Sequence, residues 1–263
     1  MTLIEAILLG VLQGVTEFLP VSSSGHLVLA EHLLPGFHQP GILFEILLHL
    51  GTMLAVIIYF WQDLKALASS LWRRGQRAKV DRRILILVGI GSVPTAIIGH
   101  QFLRVFKKAF NEPVLVCLML FVTGILLALA ERYRSGNRRQ TQLNWADALI
   151  AGTIQGLAIM PGISRSGSTI AALLFRGVEG ETAARFSFLL ALPAISGAAM
   201  LSFQDLKAIR IDQLPVYLAG SGVSLVVGLL CIHLLMGVVR KRRLALFAIY
   251  CWLAGSLGVA YFL

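Results

Sequence analysis

One short stretch near the N-terminus collects side chains that could do chemistry within an otherwise apolar sequence. Residues 13–26 read Gln-Gly-Val-Thr-Glu-Phe-Leu-Pro-Val-Ser-Ser-Ser-Gly-His. Glu17, the three serines and His26 offer a carboxylate, hydroxyl nucleophiles and an imidazole. Pro20 and Gly25 bracket the serines and interrupt any continuous helix. The stretch therefore predicts a reactive site on a broken helix.

A second stretch, Pro-Gly-Ile-Ser-Arg-Ser-Gly-Ser-Thr at residues 161–169, repeats part of the first. A shift of 142 positions places Arg165 at the position of Ser23 and aligns the flanking serines and glycines. Serines and a glycine at the start of a helix direct backbone N–H groups and hydroxyls at one point, which suits a phosphate. Arginine adds a cation that can grip two phosphate oxygens. The predicted phosphate-binding residues are Ser22, Ser24, Gly25, Ser164, Ser166 and Gly167.

Glu17 needs a role compatible with a phosphate beside it. A carboxylate repels a phosphate unless it holds a divalent metal or acts as a general base, and both roles stay open here. Gln13 lies one helical turn before Glu17 and is predicted to share the metal or orient the carboxylate. Glu45 and His49 are also spaced i, i+4 and could bind a metal or form a buried ion pair. We place both, with Gln155, among the residues that support the site.

The composition indicates a multi-pass membrane protein. The 263 residues are 57% hydrophobic and 14% charged, with a mean hydropathy of +0.81, far from the range of soluble domains. The net charge of +10 comes from basic segments between apolar spans, as the positive-inside rule expects. The lipid bilayer is therefore the predicted partner and nucleic acid is excluded, while a homo-oligomer stays open. The three cysteines lie in apolar runs without metal-ligand spacing, which argues against a disulfide or zinc site.

The predicted fold is an all-α polytopic integral membrane protein, one membrane domain over 1–263 with internal repeats at about 1–131 and 144–263. The pieces of residues 1–34 are shorter than the roughly 20 residues that cross a bilayer, so this segment is predicted to be a re-entrant helical hairpin. Each repeat combines one such hairpin with three transmembrane helices. Three crossings is an odd number, so the repeats must be inverted. The predicted spans are 42–61, 84–102, 113–131, 186–204, 215–235 and 245–262.

The distribution of basic residues predicts the orientation. The segments 62–83, 132–147 and 236–244 hold 7, 4 and 4 Lys or Arg, against 3 and 2 in 103–112 and 205–214. The first set should face the cytoplasm, which leaves both termini outside. The two hairpins then enter from opposite faces and meet near the midplane, where inverted-repeat proteins build their sites.

The two polar stretches closely resemble the signature motifs of the bacterial undecaprenyl-diphosphatase, or bacitracin-resistance, family, and the resemblance covers essentially the whole chain. The family's first motif is Glu or Gln, three residues, then Glu. Gln13 to Glu17 matches it in the Gln form, so the acidic pair of the family is a single carboxylate here.

The resemblance implies hydrolysis of the C55 polyprenyl diphosphate carrier to its monophosphate, which recycles the carrier for cell-wall synthesis. It implies Mg²⁺ or Ca²⁺ as cofactor and a multi-pass protein of the bacterial inner membrane, with an active site opening to the periplasmic side. The matching catalytic positions are Glu17, Ser23, His26 and Arg165.

Several alternatives stay open at this stage. The nucleophile is Ser23 or a water, and its base is His26 or Glu17. The competing function is a polyprenyl-phosphate transporter or flippase, because inverted repeats with broken helices are also transporter architecture. A Ser, His, Glu and Arg set exceeds what holding a phosphate in transit requires, which favours the hydrolase. The acid-phosphatase-like lipid phosphatases are disfavoured, since their nucleophilic His six residues after the Arg is Ala171 here.

Overall fold

A computed structural model describes residues 1–33, 42–133, 136–201, 213–241 and 243–263. Within these ranges the chain forms helices and no β-strand, which confirms the all-α class. The helices are α1 (Leu3–Phe18), α2 (Ser23–Leu33), α3 (Ile42–Tyr59), α4 (Trp61–Ser69), α5 (Gln76–Gln101), α6 (Leu103–Ala109), α7 (Pro113–Tyr133), α8 (Trp145–Leu157), α9 (Arg165–Phe175), α10 (Gly180–Leu201), α11 (Leu214–Arg240) and α12 (Ala245–Phe262).

Five of the described helices, α5, α7, α10, α11 and α12, are long and apolar enough to cross a membrane. A sixth candidate is the pair α3 and α4, which bends by 72° at its break. The helices therefore fit a multi-pass membrane protein, as predicted.

The observed bounds differ from the predicted ones around the most basic segment. Helix α5 begins at Gln76 rather than at 84, and α4 also lies in the 62–83 segment that was predicted to be a loop. Lys and Arg have good helix propensity and their long side chains reach polar surroundings, so basic residues do not end a helix. Residues 202–204 of the predicted span 186–204, and most of the 205–214 segment, lie outside the described residues.

Two helical hairpins, α1–α2 and α8–α9, carry the polar stretches. Their helices have 16, 11, 13 and 11 residues, each too short to span a bilayer. Helices α2 and α9 begin at Ser23 and Arg165, one repeat shift apart. One boundary was predicted wrongly: α2 begins at Ser23, so Gly25 lies in its first turn and does not break it. The chain reverses instead through Ser22, a non-glycine residue with φ of 73°.

Each hairpin packs on a long helix of the other half, α1 along α11 and α8 along α5. Both contacts are glycine to glycine, because a Cβ on Gly10 would overlap the backbone of Gly220 and a Cβ on Gly152 would overlap that of Gly91. Small residues let membrane helices approach closely enough for backbone packing. The two halves are thus interlocked by equivalent contacts, while their inverted orientation in the bilayer stays a prediction.

A buried ion network closes the open end of the second hairpin. Asp147 at the start of α8 accepts hydrogen bonds from Arg138 at 2.6 Å and from Arg176 at the end of α9 at 2.8 Å. Burial alone would raise the pKa of the Asp147 carboxyl, but hydrogen bonds from Arg138, the Asn144 backbone and Arg176 outweigh it and hold that pKa below its usual value. The network fixes the α8–α9 hairpin, and with it the position of Arg165 at the hairpin's turn.

Candidate active site

The turns of the two hairpins touch each other. The backbone N–H of Gly162 donates to Ser22 Oγ at 3.1 Å, and Ser166 Oγ donates to the carbonyl of Phe18 at 3.3 Å. A Cβ on Gly25 would come within 2.9 Å of the Gly162 Cα, so only glycine permits this approach. The repeat alignment predicted a shared site from two distant stretches, and the structure brings the two stretches together.

Each turn is also the N-terminus of a helix. Ser22 Oγ accepts the N–H of Gly25 at 3.3 Å, and Ser164 Oγ accepts the N–H of Gly167 at 3.0 Å, so both serines cap their helices. Their hydroxyls lie 3.4 Å from those of Ser24 and Ser166, respectively. The remaining first-turn N–H groups of both helices have no intrahelical partner, and the helix dipoles make this region positive. The two helix N-termini are therefore candidates for binding an anion.

Glu17 lies at the centre of the site. Its carboxylate accepts hydrogen bonds from Ser23 Oγ at 2.5 Å, from Gln13 Nε2 at 3.1 Å and from the Arg165 guanidinium. Glu17 is 6% exposed, whereas Ser23 and Arg165 are only partly buried. A buried carboxylate persists when it is paired and hydrogen-bonded. Three of the four predicted catalytic residues are therefore in direct contact, and two of them are open to a ligand.

His49, which the sequence placed among the supporting residues, also approaches Glu17. Its Nε2 lies 3.7 Å from Glu17 Oε2, and its Nδ1 lies 2.8 Å from the backbone carbonyl of Glu45. Because a carbonyl oxygen only accepts, Nδ1 carries a proton and Nε2 faces the carboxylate. Attraction between the two side chains then requires the imidazolium form of His49.

His26 lies one turn along α2 but does not face Ser23. Its Nδ1 is 2.8 Å from the carbonyl of Ser22, and its Nε2 is 2.8 Å from the hydroxyl of Tyr250 on α12. The predicted catalytic set is thus divided: Glu17 contacts Ser23 and Arg165, while His26 is bonded to the turn and to α12.

Gln155 occupies the repeat position of Gln13 but lies elsewhere. Its Nε2 donates to Thr95 Oγ1 and to the Leu190 carbonyl, both at 3.2 Å. The residue that corresponds to Glu17 in the second half is Ile159, so Gln155 has no carboxylate to orient. Its described hydrogen bonds join α8 to α5 and α10, and they do not reach the Glu17 cluster.

Sequence reasoning missed two residues that hold the turns. Thr123 on α7 accepts the N–H of Ser164 at 3.0 Å and donates to the Gly162 carbonyl at 2.9 Å. Tyr250 bonds His26 across 224 positions. A single threonine or tyrosine in an apolar span gives no sequence signal, because such residues usually satisfy their own helix or face the membrane interface.

The fold and the site together define a helical multi-pass membrane protein with a charged centre, formed by Glu17 and Arg165, between two broken hairpins. Comparison with known proteins agrees with this class: the family described as bacitracin resistance protein BacA matches residues 6–257. The chain belongs to this family.

Among its relatives, an undecaprenyl-diphosphatase of Syntrophotalea carbinolica is 57% identical over 260 residues, covering 99% of each chain. An undecaprenyl-diphosphatase of Desulfatibacillum aliphaticivorans is 45% identical over 96% of each chain, and one of Moorella thermoacetica is 41% identical over 100% of this chain and 98% of its own.

Proposed function

We infer that this chain is an undecaprenyl-diphosphatase, which hydrolyses undecaprenyl diphosphate to undecaprenyl phosphate and inorganic phosphate. The observation that carries the inference is the identity of 57% to a relative of that name over 99% of both chains. The site supplies what the reaction needs, namely an anion-binding turn, a hydroxyl nucleophile, a carboxylate and a guanidinium. The relatives named above carry the name of the hydrolase, and nothing supports the alternative prediction of a transporter or flippase.

The isoprenoid chain and the diphosphate of the substrate need different environments. The isoprenoid chain is apolar and lies among the membrane helices, while the diphosphate enters between the two serine turns. The first-turn amides of α2 and α9 stabilise its oxygens, and the guanidinium of Arg165 binds two of them. Arg165 holds Glu17 in the structure. An incoming phosphate therefore competes with Glu17 for Arg165 and leaves the carboxylate more basic.

The reaction then uses the contact between Ser23 and Glu17. Ser23 Oγ transfers its proton to Glu17 Oε2, to which it already donates at 2.5 Å, and attacks the terminal phosphorus. The bond from that phosphorus to the bridging oxygen breaks, and undecaprenyl phosphate leaves. Water then hydrolyses the phosphoserine to release inorganic phosphate. Of the two bases left open by the sequence, the geometry supports Glu17, since His26 Nε2 faces Tyr250.

A divalent cation fits this centre as a partner of the substrate. Glu17 is the carboxylate of the first motif, and the buried Oε1 of Gln13 has no hydrogen-bond partner among the described residues. No cluster of three His, Cys, Asp or Glu occurs among the described residues. Mg²⁺ is commonly held by one or two carboxylates and substrate phosphates, so Glu17 and Gln13 would hold it, with Mg²⁺ suited better than Ca²⁺. When bound, it would neutralise charge on the phosphate oxygens.

The direct test of the function is phosphate release from C55 diphosphate by the purified, detergent-solubilised chain. We expect one inorganic phosphate per substrate, with the C55 monophosphate as the lipid product. C55 monophosphate offered as substrate is the matched control. Absence of phosphate release from the diphosphate, with the protein folded and Mg²⁺ supplied, would contradict the assignment.

The proposed nucleophile makes a separate prediction. A covalent phosphoenzyme should be trapped by rapid acid quenching of the wild type and be missing in Ser23→Ala, because the alanine lacks the attacking oxygen. Ser69→Ala, a serine substitution on α4 away from the site, is the control and should keep the phosphoenzyme. Inversion of configuration at a chiral terminal phosphorus would show direct attack by water and exclude Ser23 as nucleophile.

We also propose that the chain resides in the bacterial inner membrane with its site open to the periplasmic side. This proposal is supported by the excess of Lys and Arg in the 62–83 segment.

The orientation can be measured with a membrane-impermeant thiol reagent on intact cells. The exposed positions Arg74 and Asn111 lie in segments predicted to face opposite sides. We expect Asn111→Cys to be labelled from outside and Arg74→Cys to be labelled only after lysis, while the native cysteines are buried. Labelling of Arg74→Cys in intact cells would reverse the proposed orientation.

A further inference from the structure

The hydrogen bonds of His26 determine which of its nitrogens carries the proton. Nδ1 lies 2.8 Å from the Ser22 carbonyl oxygen, which can only accept, so Nδ1 is protonated. In the neutral ring Nε2 then holds the lone pair. The Tyr250 hydroxyl, 2.8 Å from Nε2, donates to it.

This arrangement directs the basic nitrogen of His26 away from the nucleophile. Ser23 Oγ donates to Glu17 at 2.5 Å, whereas His26 Nε2 is capped by a hydroxyl from another helix. His26 is 8% exposed, so bulk water does not compete for the lone pair of Nε2. The contact with Tyr250 therefore keeps His26 from acting as the base for Ser23 and leaves that role to Glu17, a choice that the sequence could not make.

Helix α12 is firmly seated against the first serine turn. The ring planes of Tyr250 and His26 lie within 12° of parallel, with centroids 5.6 Å apart. The neighbouring Cys251 Sγ lies 3.9 Å from the Pro20 carbonyl oxygen. Tyr250 itself is 46% exposed, so its ring borders the outer face of the helix bundle while its hydroxyl reaches inward. The ring contact with His26 and the contact of Cys251 with Pro20 thus hold the Tyr250 hydroxyl in place.

We propose that Tyr250 is a positioning residue of the phosphatase site. Its hydroxyl holds the His26 ring in the neutral Nδ1–H form and occupies the lone pair of Nε2. Glu17 is then the base that accepts the proton of Ser23. The expected effect on turnover rests on the proposed function, whereas the expected protonation of His26 at Nδ1 does not.

The kinetic test compares Tyr250→Phe with the wild type on C55 diphosphate. Phenylalanine differs by one oxygen and keeps the ring at the membrane face. Without the hydroxyl the His26 ring is no longer held in position, and we expect kcat to fall by roughly 2- to 10-fold, the scale of one neutral hydrogen bond, with KM unchanged. Tyr261→Phe is the matched control, since Tyr261 is an exposed tyrosine on the same helix, and it should keep wild-type kcat.

A double-mutant cycle shows whether Tyr250 acts through His26. In His26→Asn the amide nitrogen still donates to the Ser22 carbonyl, but the Nε2 position is gone. We expect Tyr250→Phe to cost nothing further in this background. The proposal is overturned if Tyr250→Phe has no effect on wild-type kcat, or if its effect is the same in both backgrounds.

A spectroscopic measurement keeps the proposal testable apart from the activity. In protein labelled with ¹⁵N-histidine and assigned with His26→Asn, we expect wild-type His26 to show a protonated Nδ1 and a hydrogen-bonded, unprotonated Nε2. In Tyr250→Phe the Nε2 resonance should move downfield, toward that of a free imidazole nitrogen. An identical Nε2 signal in both proteins contradicts the proposal. A wild type that released no phosphate but showed this shift would instead refute only the proposed function.

Discussion

Replacing Glu17 with glutamine is expected to lower kcat on C55 diphosphate by roughly 10²-fold or more, the scale of a lost general base. Glutamine keeps the size of the side chain but removes the charge that Arg165 and Ser23 both contact. Ser23 then has no acceptor for its proton, and the proposed Mg²⁺ loses the carboxylate of Glu17. The measurement is steady-state phosphate release by the purified variant, with its thermal unfolding checked against the wild type.

The matched control for this experiment is Glu5→Gln, the same substitution on the same helix. Glu5 is part of the capping box at the start of α1 with Thr2, and glutamine can serve there too. We expect Glu5→Gln to keep nearly full activity. A kcat close to the wild type in Glu17→Gln would remove Glu17 from both the base and the metal-ligand roles.

Replacing Arg165 with lysine is expected to leave the fold intact and to remove much of the activity. The guanidinium presents several N–H donors in a plane and grips two phosphate oxygens, whereas an ammonium group acts as a single point charge. Arg77→Lys, at an exposed position of the basic segment, controls for the exchange itself. Activity near that of Arg77→Lys would mean that a positive charge at this position is sufficient.

The stronger version of this prediction concerns Arg165 and Ser23 together. Both contact one carboxylate, so they serve one shared step and their losses should not multiply. We expect the double variant, Arg165→Ala with Ser23→Ala, to be about as active as the worse single variant. Independent, multiplicative losses would place the two residues in separate sites.

The repeated serine motif made much of the site predictable. Because Ser22 and Ser164 each cap a helix, the same local physical chemistry acts twice, and the shift of 142 positions identified both turns from the sequence. A carboxylate in a strongly apolar chain is costly, which singled out Glu17. The small residues Gly10 and Gly152 also followed the repeat, and they lie where the hairpins contact the opposite half.

The remaining features depend on contacts between helices that the sequence does not encode locally. Tyr250 and Thr123 touch the turns only because α12 and α7 pack beside them, and nothing in their own helices marks them. Gln155 matched Gln13 in type and position, yet it bonds Thr95, because a matching residue acts alike only if its neighbours match as well. The start of α5 was predicted too late in the chain, because the basic residues before 84 were assigned to a loop and not to the helix.

The pairing of Glu17 with Arg165 also has a consequence for the making of the protein. The two residues are 148 positions apart, and ribosomes add about 5–20 residues per second. The first hairpin thus exists for on the order of ten seconds before its arginine has been synthesised. During that interval Glu17 must stay protonated, remain near water or pair with a group of the insertion machinery, since an unpaired carboxylate is costly in hydrocarbon. A nascent chain that stops short of α9 therefore keeps this carboxylate without its arginine.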